Sequence, residues 1–124
     1  MLLIGSSSLD VVFPRTCRVC GRTLVAGERL LCVGCMAELP RTYLHDIDFN
    51  TVHHRIGGRH EIDVAAGWFY YYRDSPYARL IHEAKYGDRP ATARMLGRLY
   101  GMELAADGLA GRFDVLLPVA LHRD

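Results

Sequence analysis

All four cysteines of this chain, Cys17, Cys20, Cys32 and Cys35, fall into two C-x-x-C pairs with eleven residues between the pairs. Two residues between sulfurs let the backbone turn one thiolate back beside the next, so each pair can grip a single ion. The short segment between the pairs then folds back to deliver the second grip. This grouping points to a tetrahedral four-thiolate site, with Zn²⁺ as the metal. Sulfur takes every position and leaves none for water, so the ion is expected to be structural rather than catalytic. Two disulfides or four buried thiols are the alternatives. The tightness of the pairs and the lack of any mark of secretion argue against them.

The elements needed to position these sulfurs can be read around them. Gly21 follows the first pair and can take the backbone conformation that a knuckle turn asks for. Arg22 to Leu31 reads as two short extended arms with a turn near Ala26-Gly27, a hairpin pattern. Val33 to Leu39 reads as a short helix stopped by Pro40, with Cys35 in its first turn, where backbone N–H groups favour a thiolate. Knuckle, hairpin and helix describe a zinc-ribbon or treble-clef-like module. About thirty residues bury too little apolar surface to fold alone, so the ion would supply most of the module's folding free energy. Arg15, Arg18, Arg22 and Arg29 lie close by in sequence. They could offset the negative charge that four thiolates leave around Zn²⁺, or face a phosphate backbone; both readings stand at this point.

Composition excludes little else. The chain has 124 residues, is half hydrophobic and carries a formal net charge of +1, so bulk electrostatics select no partner. No apolar run approaches the roughly 20 residues of a membrane helix. Met1 to Ser8 is apolar for only its first four residues and lacks a cationic lead, a poor signal peptide. A cytoplasmic location is the expectation.

Beyond the module, residues 46–61 read as a polar connector. His45, His53, His54 and His60 raise the idea of a second metal site, but their spacings match no ligand pattern. Residues 62–72 are rich in aromatic and β-branched residues and predict a strand, with Ile62, Val64, Ala66, Trp68, Tyr70 and Tyr72 on one face. The aromatic run could serve as a base-stacking platform; core packing is the expected use, because few basic residues are interleaved with it. Ser75-Pro76 starts a helix whose stripe is Tyr77, Leu80, Ile81 and Ala84, with Gly87 just past its end. Asp88-Arg89-Pro90 starts a second, running to Ala106, with Leu96, Leu99, Tyr100 and Leu104 on its apolar face. Val115 to Leu117 predicts a strand buried on both faces of a parallel sheet. No further strand follows, so the chain is expected to be the front part of something longer, or to have its sheet completed by a partner.

The order of these features resembles the ComF family, competence-associated proteins that join a four-cysteine zinc module to a phosphoribosyltransferase-like domain. The matching residues are Phe13-Pro14, Cys17, Cys20, Leu31-Cys32, Cys35, Leu39-Pro40, a tyrosine at 71 or 72, Leu80-Ile81, Lys85-Tyr86-Gly87-Asp88, and Asp114 to His122. The resemblance implies an α+β/α/β chain. A zinc module at 1–45 and a connector at 46–61 would precede the opening part of a type I phosphoribosyltransferase-like domain at 62–124. It implies that Lys85, His122 and Arg123 belong to substrate binding, and that a full-length relative would take phosphoribosyl pyrophosphate with Mg²⁺. Two departures stand out. Pro-Val-Pro is Pro118-Val119-Ala120 here, and the acidic pair with Thr-Thr-Gly that wraps the ribose phosphate is missing. This chain alone is therefore expected to be inactive as a transferase. Single-stranded DNA or a protein of the competence machinery are the partners implied. The competing reading is a non-enzymatic zinc-ribbon adaptor for single-stranded nucleic acid or a protein, motivated by the arginines beside the cysteines.

An all-thiolate site predicts about one zinc per chain. Elemental analysis of purified protein checks this, and Cys32→Ser should lose the ion and unfold the ribbon with it. Sulfur without metal, in intact disulfides, would refute it.

Overall fold

The computed structural model describes residues 14–56, 61–87 and 89–119. The regular elements among them are all helical: α1 (Val33–Ala37), a 3₁₀ turn (Leu44–Asp46), α2 (Thr51–Ile56), α3 (Ala78–Tyr86), α4 (Pro90–Ala106) and a second 3₁₀ turn (Ala110–Arg112). Backbone pairing among the described residues stops at two isolated antiparallel bridges, Thr16 with Thr23 and Arg41 with Phe69.

The helical pair follows the sequence closely. Pro90 occupies the start of α4, where its missing N–H costs nothing. Ser75 Oγ accepts from the Tyr77 N–H at 3.2 Å, but regular α3 begins only at Ala78. Leu80 is wholly buried, and Tyr77, Leu96 and Trp68 join it in one cluster with Cys17, Leu24, Leu31 and Cys35. One core therefore spans the ribbon and the helical pair. Gly87 stands just past the helix end as expected, but not in a left-handed conformation. Its φ is −90°, and a Cβ there would fall 2.9 Å from the Cα and carbonyl oxygen of Glu83.

The strand expected at 62–72 is not formed. Among the described residues this stretch pairs with distant backbone only at residues 40–42, through Thr42 N–H to the Trp68 carbonyl and Tyr70 N–H to the Pro40 carbonyl. Pro40 has no N–H to continue a ladder. The expected alternation fails with it. Trp68 is buried, whereas Tyr70, Tyr71 and Tyr72 are 47, 49 and 59 % exposed, so most of the aromatic run is not core. Trp68 stacks on Tyr100, with ring centroids 5.7 Å apart. Its indole Nε1 donates to Glu103 at 2.8 Å. The strand expected at Val115–Leu117 is likewise corrected: these residues are 71, 85 and 86 % exposed, and no described strand lies beside them. The arms of the expected hairpin also pair differently. Leu24 N–H reaches the Arg15 carbonyl and Arg18 N–H reaches that of Leu30, so each arm leans on the first cysteine knuckle instead of on the other arm. The phosphoribosyltransferase-like sheet is thus not shown.

The connector holds a feature that the sequence did not announce. Asn50 is buried. Its Oδ1 accepts from Val52 and His53 N–H and caps α2. Its Nδ2 donates to the carbonyls of Leu44, Ile47 and Ala65. One amide therefore ties three stretches together. Asn50→Asp keeps the cap but turns a donor into an acceptor facing three carbonyls. We expect a loss of about 2 kcal/mol or more, read from urea unfolding of the zinc-loaded protein; a change within error would contradict the role given to Asn50.

Candidate metal centre

The two knuckles are made by the local sequence. Cys17 N–H donates to the Arg22 carbonyl at 2.8 Å and Gly21 N–H to the Cys17 carbonyl at 2.9 Å, with Gly21 at φ +76°. Only glycine takes that conformation cheaply. The turn between the pairs closes through Glu28 N–H to the Val25 carbonyl, with Gly27 at φ +91°. Glu28 then locks the loop. Its carboxylate accepts from Val25 N–H, Val33 N–H and Arg22. These two backbone N–H groups, then Arg22, hold it below the usual carboxylate range.

The structure brings all four sequence-predicted cysteines together, their Sγ atoms all within 4.8 Å of one another. None is in a disulfide. The Sγ atoms of Cys20 and Cys32 lie 3.7 Å apart. A tetrahedron with arms of the Zn–S length, about 2.3 Å, has edges of about 3.8 Å. The spacing therefore fits zinc and is far too long for a sulfur–sulfur bond of about 2.05 Å. Cys17, Cys32 and Cys35 are buried, while Cys20 is exposed.

Electrostatics fit the same ion. Burial pushes the Cys17 thiol up, but backbone N–H groups of Cys20, Cys32 and Val19 outweigh it and hold the thiol down to about 6. Cys35 goes the other way: burial and its sulfur neighbours drive its thiol far up. Without a cation, then, the site favours the thiolate at Cys17 and the thiol at Cys35. A dication at the centre removes the penalty on the Cys35 thiolate. The Cys35 and Cys32 N–H groups point at the Sγ of Cys32 and Cys17, each at 3.4 Å. Arg22 feels Cys32 first and Glu28 next, which raises its pKa. Of the four arginines, Arg22 pairs with Glu28 at 3.2 Å and Arg18 with Glu83 at 3.8 Å, and Arg15 donates to the Glu28 carbonyl. Arg15 and Arg22 thus serve the ribbon itself, and Arg18 ties it to α3.

Among the described residues His45, His53 and His54 do not assemble into a site, and only His45 meets acidic groups, 2.8 Å from Asp107 and 3.7 Å from Asp46. Asp107 is 62 residues away in sequence, which no local spacing could reveal. The His45 Nδ1 is buried without a partner among the described residues, so the ring lacks there the second hydrogen bond that ordinarily aims a metal-binding imidazole. Lys85 ends α3 and shares a hollow of about 300 Å³ with Arg89. Phe13, His60, His122 and Arg123 lie outside the described residues.

Residues 8–45 match the double zinc ribbon domain. The chain thus carries a zinc-ribbon-like module with four cysteines placed to bind a metal. Its four cysteines supply one such cluster. No curated protein and no solved structure matches the chain. The ComF-like and phosphoribosyltransferase expectations draw no support from these comparisons.

The ribbon is bolted to the start of α3 beside the cysteine cluster. Tyr77 is buried, and its hydroxyl donates to the Cys35 carbonyl at 2.9 Å. Tyr77→Phe leaves that carbonyl unpaired and should cost about 1–2 kcal/mol. Zinc should also leave the variant faster under a chromogenic chelator. Unchanged stability and release rate would contradict the link.

Proposed function

We propose that this chain is the zinc-ribbon part of a ComF-like protein and acts as a non-catalytic binding module in the handling of single-stranded DNA. The observation that carries the reading is the closed four-sulfur cage, which has no open coordination position. Zn²⁺ there would hold shape and expose nothing to a substrate. Free thiols in this number suit a reducing compartment, and the cytoplasm is the location proposed. Among the described residues no helix is long and apolar enough to cross a membrane.

The reading assigns this chain no transfer reaction of its own. Of the residues that the resemblance gives to phosphoribosyl pyrophosphate and Mg²⁺, Lys85 is the one among those described. Lys85 and Arg89 can attract an anion but offer neither a base nor a metal ligand.

The arginines beside the cysteines are a weak basis for nucleic-acid contact, since Arg15, Arg18 and Arg22 already hold contacts within the protein. The aromatic face is a better one. Tyr70, Tyr71, Tyr72 and Tyr86 are all exposed. Tyr71 and Tyr86 flank His82, with ring centroids 6.4 and 6.0 Å from it. Exposed rings offer stacking surfaces for unpaired bases, and Arg73, Arg79 and Lys85 are exposed on the same stretches of chain. A dye-labelled oligothymidylate should bind the zinc-loaded chain at low salt and weaken as salt rises. Tyr71→Ala with Tyr86→Ala should weaken it by about 1–3 kcal/mol per stacked base lost. No binding at low salt would remove the nucleic-acid reading.

A further inference from the structure

A groove between the ribbon and α4 is used by neither the metal centre nor the aromatic face. It encloses about 570 Å³. The α4 wall is made by Met95, Arg98, Leu99 and Met102, one face at spacings i, i+3, i+4 and i+7. Met36 of α1 adds to the apolar floor. The rim is apolar and open to solvent: Met102 is 60 % exposed and Val33 70 %.

Charge around the groove is one-sided. Among the described residues its only carboxylate is Glu28, whose oxygens are taken by Val25 N–H, Val33 N–H and Arg22. Arg41 is also committed, to Glu103 at 2.7 Å and to the Met36 carbonyl at 2.8 Å. Arg29 and Arg98 are exposed and carry no ion pair among the described residues. Among the described residues two cations without an ion pair therefore flank a methionine-rich floor, with no free carboxylate to repel an acidic guest.

We propose that this groove docks an acidic amphipathic helix of a partner protein, laid alongside α4. Thioether side chains repack around an incoming apolar ridge, and a helical face with anchors one turn apart is what a second helix reads. Glutamates or aspartates flanking that ridge would meet Arg29 and Arg98. No aromatic ring lines the groove among the described residues, so they offer bases nothing to stack on. A symmetric contact between two copies would set these arginines against themselves.

The test uses the zinc-loaded full chain and two labelled peptides in fluorescence anisotropy. Both are helical with leucine at the ridge; one carries glutamate on its flanks and the other lysine. The glutamate peptide should bind, and more weakly at high salt. Arg29→Glu combined with Arg98→Glu should weaken it by roughly tenfold or more and favour the lysine peptide instead. Met102→Asp should also weaken it, with zinc content and far-UV dichroism unchanged in both variants. Equal binding of the two peptides, or binding indifferent to the variants, overturns the proposal. Displacement by oligothymidylate overturns it in favour of a nucleic-acid surface. Sedimentation showing a dimer that Met102→Asp dissolves overturns it in favour of a second copy.

Discussion

Four sulfurs held within 4.8 Å of one another are the constraint from which the rest of this structure follows. Left to themselves they repel once ionised, and the opposite shifts of Cys17 and Cys35 record that conflict. A dication settles it and gives the ribbon a centre that its short arms cannot build by pairing. This explains a module in which the arms touch through single bridges and scattered backbone bonds instead of a ladder. Where a metal fixes the ends of each arm, little pairing is needed between them.

The helical pair is attached to that centre by three polar links over a shared apolar core. Tyr77 reaches the Cys35 carbonyl, Arg18 reaches Glu83, and Glu103 of α4 receives both Arg41 and Trp68. Arg41 in turn donates to the Met36 carbonyl at the end of α1. The carboxylate of Glu103 thus joins helix α4, the strand-like segment through Trp68 and the far side of the ribbon. Such an arrangement makes one connected body that leaves the tyrosines exposed on one set of residues and the methionine groove open on another.

Much of this was legible in the sequence wherever the signal was local. The cysteine spacing marked the metal cluster, Pro40 and Pro90 marked a helix end and a helix start, and the stripes of Tyr77 and Leu80 and of Leu96 and Leu99 marked the packed faces. What failed depended on partners that no local pattern reveals. Residues 62–72 have the composition of a strand, yet a strand needs a neighbour along its length, and Pro40 ends the one available. Val115–Leu117 has the apolar run of a buried strand and lies exposed for the same reason. Asn50 looked like a loop residue because its burial comes from the carbonyls of Leu44, Ile47 and Ala65, which only the folded chain gathers. The pairing of His45 with Asp107 was hidden by their separation in sequence.

The most direct test of the central claim is zinc-edge X-ray absorption on the purified chain. A single shell of four sulfur scatterers at about 2.3 Å is the result this account predicts. A shell containing nitrogen or oxygen, or no bound zinc in a folded and reduced sample, would contradict it.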